Sequence, residues 1–242
     1  MPWAVELVDE VDSTNRVLLE RARAGAQHGV VLVAGHQTAG RGRLDRSWES
    51  APGSSLLVSV LLRSDLPLSE THLLTMAAGL AAAEACERAA GVRPSLKWPN
   101  DLVVGEPERK LAGLLAESVV ESAELVTVVI GMGLNLNWPH PMPPALDQIA
   151  TSLNHHSDVP VDRNAVLSTW LEGLDRRLGA LEGVLPEYRS RCATLGRAVR
   201  VELMDGSVEG VAGDVDDDGR LVVQGATTVA VSTGDVVHLR TG

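Results

Sequence analysis

Residues 36–48 read HQTAGRGRLDRSW, and they sit between two apolar runs, GVVLVAG at 29–35 and SSLLVSVLL at 54–62. The flanks have the length and β-branched content of buried strands. The segment between them carries Gly40 and Gly42, the guanidiniums of Arg41, Arg43 and Arg46, and Trp48. Glycines allow close backbone approach, and arginine forks match the oxygens of phosphate and carboxylate. The stretch therefore reads as an anion-binding loop joining two core strands. A solvated hairpin loop would explain it equally well if it stood alone.

Two common templates fail here. Gly35-x-x-x-x-Gly40 has the glycine spacing of a phosphate-binding P-loop, but Arg41-Gly42 follows where Lys-Ser/Thr is required. Gly40-x-Gly42-x-x-Asp45 places a carboxylate at the third glycine of the dinucleotide fingerprint.

Outward from the loop, the chain alternates short β runs with helical patterns. WAVELVDEV (3–11) reads as a strand, and DSTNRVLLERARAGA (12–26) as a helix opened by N-cap types Asp12, Ser13 and Thr14. SETHLLTMAAGLAAAEACERAAG (69–91) is the longest helix pattern and ends on Gly91 as C-cap. PSLKWPNDLVVG (94–105) reads as strand, turn, strand. RKLAGLLAESVVE (109–121) and ELVTVVIGMGLNLN (124–137) read as an antiparallel pair, and the Pro- and His-rich 138–162 as mostly loop. RNAVLSTWLEGLDRRLGALEG (163–183) is an amphipathic helix pattern. Near Gly196 the texture changes to short β runs separated by Asp-Gly and other glycine turns, which predicts a small five-stranded barrel. The expected division is 1–193 and 194–242.

Bulk properties exclude several classes. With 242 residues and 45% apolar content the chain can bury a sizeable core, built from Leu, Val and Ala because it has five Trp, one Tyr and no Phe. A net charge of −11 opposes nonspecific attraction to nucleic acid or an anionic membrane. Cys86 and Cys192 form neither a disulfide framework nor a zinc pattern, and no signal peptide or apolar run of spanning length is evident, which predicts a cytoplasmic protein. The histidines, including the adjacent His155 and His156, fit no ligand set. DVDDDG (214–219) lacks the final glutamate of a calcium loop and reads as a β-turn.

Three further stretches give the loop its context. KWPND (97–101) packs a base, an indole, a turn-forming proline and short polar groups together. KLAGLLAE (110–117) puts Gly113 inside a strand, where glycine often marks close approach of a ligand or another backbone. GMGLNLN (131–137) carries two glycines and amide side chains in a core-like strand. In this order, with Ser13-Thr14-Asn15 and Gln37 to Arg43, they resemble the biotin–protein ligases, whose pattern is Ser-Thr-Asn, Gln-Thr-x-Gly-Arg-Gly-Arg, Lys-Trp-Pro-Asn-Asp, Lys-x-x-Gly-x-x-x-Glu and Gly-x-Gly-x-Asn. The motifs span residues 9 to 137.

The resemblance implies an α+β fold: a mixed-sheet catalytic domain with helices, followed by a small SH3-like β-barrel. It implies an enzyme that condenses biotin with ATP to biotinoyl-5′-AMP, then passes the biotinoyl group to one lysine of a biotin carboxyl carrier domain of an acyl-CoA carboxylase. Ser13, Thr14, Asn15 and Gln37 would hold biotin's ureido ring, and Gly113 would admit it closely. Arg41, Gly42 and Arg43 would wrap the carboxyl and phosphate groups, with Gly40, Arg46, Lys97 and Asn100 also on the nucleotide side. Lys110 would stand between the carboxylate and the α-phosphate. Asp101 would orient or deprotonate the acceptor lysine. Trp48 would stack on adenine, with Asn135 beside it. Mg2+ would accompany ATP, and its ligands are not identified. The loop is expected to order as substrates bind, and the molecule to be a monomer or weak dimer.

Two departures from the family stand out. Asp45 occupies the place of a third glycine and is expected to stiffen the loop, to weaken its hold on the adenylate, or to pair with Arg43 or Arg46. The catalytic motifs begin within fifteen residues of Met1, which predicts a form without the helix-turn-helix repressor domain of some members. The nearest alternative is a lipoate–protein ligase or lipoyl/octanoyl transferase, although the octanoyl type needs a reactive cysteine and Cys86 lies in an Ala-rich helix pattern. A noncatalytic sensor would have no need for both Lys110 and Asp101.

Overall fold

The computed structural model describes residues 3–120 and 126–239. A seven-stranded sheet organises the first two thirds of the chain. Its strands are β1 (Ala4–Val11), β2 (Val30–Gln37), β3 (Ser55–Ser64), β4 (Ser95–Lys97), β5 (Asp101–Val104), β6 (Arg109–Val120) and β7 (Val126–Asn135), in the order β1-β2-β3-β7-β6-β5-β4. The β1–β2 pair is parallel, crossing over through α1 (Thr14–Arg23), and every other neighbour is antiparallel.

The central strands explain their own sequences. Ser55–Leu62 is buried at every position, so it reads as a continuous apolar run instead of an alternating one. One sheet face lies under α2 (His72–Ala90), which contacts α4 (Arg163–Leu178). Ala77, Ala78, Ala81, Ala82, Ala83 and Ala85 of α2 are fully buried. Small side chains let the two helices approach closely: a Cβ on Gly173 would already stand 3.3 Å from that of Ala81. Trp170 fills the crossing and donates its indole N–H to the Ala78 carbonyl at 3.0 Å. Gly91 ends α2 with φ 68°, as its sequence position predicts.

A one-turn helix, α3 (Pro144–Asp147), interrupts the long loop before α4. The helix expected over 163–183 stops at Leu178, and α5 (Val184–Arg191), which the sequence reading did not anticipate, follows. Arg177, near the end of α4, links three helices by pairing with Glu84 of α2 at 2.8 Å and Glu187 of α5 at 2.6 Å.

The C-terminal segment forms β8 (Ala198–Leu203), β9 (Gly206–Val215), β10 (Leu221–Gln224), β11 (Thr228–Val231) and β12 (Asp235–His238). These make one antiparallel sheet in the order β11-β10-β9-β8-β12. The five expected strands are there, but β11 and β12 are edge strands not paired with each other, so the hydrogen bonding does not close a barrel. In the 214–219 turn, the Asp216 carboxylate accepts from the backbone N–H of Asp218 (3.1 Å) and Arg220 (2.9 Å), so it ties off a β-turn. Trp98 fastens this sheet to the seven-stranded one, donating its indole N–H to the Gly219 carbonyl at 3.1 Å. The Trp98 side chain is buried at this junction.

Candidate active site

The site begins with glycines on adjacent strands. Gly113 of β6 pairs with Gly133 of β7, and Leu115 with Gly131. An added Cβ on Gly131 would stand 2.9 Å from Asn15 Cγ and 3.2 Å from Ser59 Oγ. One on Gly133 would stand 2.6 Å from Trp48 Nε1, and one on Gly113 3.0 Å from Lys110 Nζ. The missing side chains let an asparagine from α1 and an indole from the arginine loop lie directly on the sheet. A cavity forms above this floor.

One end of the cavity is polar but uncharged. Ser13 caps α1, so Thr14 and Asn15 enter its first turn and are turned inward, both buried. Gln37, at the end of β2, accepts from the Thr14 backbone N–H (2.7 Å) and hydroxyl (2.9 Å) through Oε1. Ser59 Oγ lies 2.7 Å from Thr14 Oγ1 and 2.6 Å from Asn15 Oδ1. The Asn15 amide donates to the Leu115 carbonyl and to Glu117 Oε2, each at 3.0 Å. Buried polar groups must be paired, and here they pair with one another. Ser59 was not picked out from the sequence; its only signal was a hydroxyl inside LLVSVLL.

The other end is charged. Lys110, at the start of β6, lies across Gly113, with Nζ 2.7 Å from Asp101 Oδ1 and 5.6 Å from the centre of the Trp48 ring. The β4–β5 hairpin places Asp101 opposite Gly113. Asn100 donates to the Leu114 carbonyl at 2.5 Å and accepts from Arg43 at 3.2 Å.

The arginine loop is itself a small hairpin. Gly42 N–H donates to the Arg46 carbonyl at 2.7 Å and Trp48 N–H to the Gly40 carbonyl at 2.9 Å, so a Cβ on Gly40 would collide with the Trp48 backbone. Arg41 pairs with Glu117 at 3.0 Å, Arg43 donates to Thr233 Oγ1 at 2.6 Å, and Arg46 pairs with Asp235. Burial pulls the Arg43 guanidinium below its usual range, while the carboxylates of Asp235 and Asp101 oppose the shift. It remains a cation near neutral pH. Arg43 and Arg46 are thus held by groups other than Asp45. Leu44 (φ 53°) and Asp45 (φ 56°) both adopt the left-handed conformation that glycine would take without cost.

Most of the residues singled out from the motifs line this cavity: Ser13, Thr14, Asn15, Gln37, Arg41, Gly42, Arg43, Arg46, Trp48, Asn100, Asp101, Lys110 and Gly113. Three do not. Gly40, paired with Trp48 in the loop hairpin, does not line the cavity. Lys97 faces a separate groove toward Glu108 and His238. The Asn135 amide donates to the Thr151 carbonyl at 2.9 Å and accepts from the Trp138 indole at 3.1 Å. Trp48 lies on the glycine floor beside Lys110, and its Nε1 is buried without a hydrogen-bond partner among the described residues.

Residues 7–135 match the Biotin/lipoate A/B protein ligase family, and residues 194–239 match the Biotin protein ligase C terminal domain. A biotin--[acetyl-CoA-carboxylase] ligase of Mycobacterium tuberculosis is 42% identical over 98% of this chain and 89% of its own. The chain belongs to the biotin/lipoate protein ligase family. A bifunctional ligase/repressor of Bacillus subtilis is 34% identical, covering 89% of this chain and 68% of that one. The solved biotin protein ligase of Aquifex aeolicus, in complex with biotin and ATP, superposes with a TM-score of 0.80 at 28% identity, covering 98% of this chain and 99% of that one.

Proposed function

We propose that the protein condenses biotin with ATP and transfers the biotinoyl group to a lysine of a carboxylase carrier domain. The observation that carries this is the division of one cavity into a neutral hydrogen-bonding end and a cationic end. Biotin has a neutral ureido ring and a carboxylate at the end of its tail. The ring fits the Ser13, Thr14, Asn15 and Gln37 end, and the carboxylate fits Lys110 and the arginines.

In the first step a biotin carboxylate oxygen attacks the α-phosphorus of ATP and pyrophosphate leaves. Two anions must meet, so the step needs cations fixed in advance, and Lys110 with Arg41, Arg43 and Arg46 supplies them. Mg2+ comes with ATP as its phosphate counter-ion; the described residues contain no cluster of three or more His, Cys, Asp or Glu side chains suited to holding a metal. Lys110 is paired with Asp101. A substrate anion competes for that lysine and releases the Asp101 carboxylate. In the second step the acceptor lysine attacks the acyl carbon and AMP leaves. Asp101 is then free to accept the proton that the incoming ammonium must lose. Trp48 and Asn100 border the nucleotide end; Asn135 would have to release the Thr151 carbonyl to reach adenine, and Lys97 faces a separate groove.

A lipoyl substrate would leave the neutral end without polar partners. A cysteine-based acyl transfer has no candidate, because Cys86 is fully buried with its thiol pushed up to about 12 by burial, and Cys192 is buried too. Among the described residues no helix is long and apolar enough to cross a membrane. Pyrophosphate release with ATP-Mg2+ tests the first step. Release that requires biotin and is not supported by lipoate is expected. Release with lipoate alone would overturn the reading.

A further inference from the structure

We infer that Glu117 is a positioning residue that couples recognition of the biotin ring to placement of the arginine loop. The inference rests on the proposed biotin chemistry of this cavity. Side chains alternate faces along a strand, so Gly113, Leu115 and Glu117 of β6 share the cavity face. Glu117 stands just beyond the cavity wall. One carboxylate there serves both ends of the site: Oε2 accepts from Asn15 Nδ2 at 3.0 Å and from Arg41 Nη1 at 3.2 Å, and Oε1 lies 3.0 Å from the same Arg41 nitrogen.

Each contact fixes something the chemistry needs. The two amide protons of Asn15 go to the Leu115 carbonyl and to Glu117, which leaves its oxygen toward Ser59. Without Glu117 one proton loses its partner and the amide is free to turn over. Arg41 begins a loop that holds Leu44 and Asp45 at positive φ, so side-chain tethers must fix its position. Arg43 and Arg46 tether it to the C-terminal sheet, and Arg41 to Glu117 is the tether to the biotin end.

Glu117→Gln and Glu117→Ala separate the two contacts. Gln keeps an oxygen for Asn15 but loses the charge for Arg41, whereas Ala loses both. Biotin affinity by calorimetry should stay near wild type in Glu117→Gln and fall about tenfold or more in Glu117→Ala. The dissociation rate of preformed biotinoyl-adenylate should rise about two- to fivefold in Glu117→Gln, the range of a partly exposed ion pair. Combining Arg41→Ala with Glu117→Ala should give a non-additive change in that rate. Thermal unfolding of each variant reports folding separately, and a purely structural role would lower the melting temperature without splitting affinity from dissociation. Wild-type affinity in Glu117→Ala, equal losses in the two single variants, or an additive double variant would overturn the inference. Failure of the wild-type protein to bind biotin would instead overturn the functional reading beneath it.

Discussion

Gly133→Ala isolates the role of the glycine floor. The new methyl would stand 2.6 Å from Trp48 Nε1 and 2.8 Å from Trp48 Cδ2. Non-bonded carbons rest at about 3.5–4.0 Å, so the indole must lift by roughly 1 Å. The strand itself loses nothing: Gly133 is not among the positive-φ glycines, and Ala suits a strand interior better than Gly. The cost therefore falls on Trp48, and through it on the arginine loop and on Lys110, whose Nζ is 5.6 Å from the ring. A displacement of that size at a reacting centre costs on the order of 10²-fold. The assay is kcat/KM for biotin transfer, run with a thermal melt. Gly183→Ala is the control, since its Cβ would meet nothing within 4 Å. The reasoning fails if Gly133→Ala stays within about threefold of wild type, because Trp48 then does not rest on the floor in the working enzyme.

Lys110→Ala should reduce biotin-dependent pyrophosphate release by roughly 10²–10³-fold, the scale of removing one preorganised charge. Asp101→Asn should still release pyrophosphate but transfer about 10²-fold or more slowly, measured in single turnover with preformed adenylate. Leu44→Asn should raise the melting temperature by about 1–4 °C, because Asn tolerates the left-handed conformation and the half-exposed Leu44 gives up little burial. Neither Cys86 nor Cys192 should react with a maleimide in the native protein, and both should be labelled once it is unfolded.

The strands and long helices were legible because their apolar periods are local. The motifs were legible because glycines, arginines and KWPND stand out against the chain around them. What was not legible is long-range. Arg46 meets Asp235 and Arg43 meets Thr233 across most of the chain, so no local pattern announces that the C-terminal sheet holds the arginine loop. Asp45 looked from sequence like a partner for Arg43 or Arg46, its neighbours in the chain, but the loop turns those arginines toward the other domain. Asn135 looked available for a ligand, yet Trp138 and Thr151 engage its amide. The five short C-terminal strands were plain in their turns, whereas the pairing of the outer strands depends on how far the sheet coils.

The central claim is a covalent one, and intact mass reads it directly. The protein is mixed with ATP, Mg2+, biotin and an isolated carboxylase carrier domain, with lipoate as the parallel substrate. A single biotinoyl mass gain on the carrier, dependent on ATP and lost in Lys110→Ala, is the predicted result. A lipoyl gain in place of it, or biotin bound tightly with no mass transferred, would contradict the account.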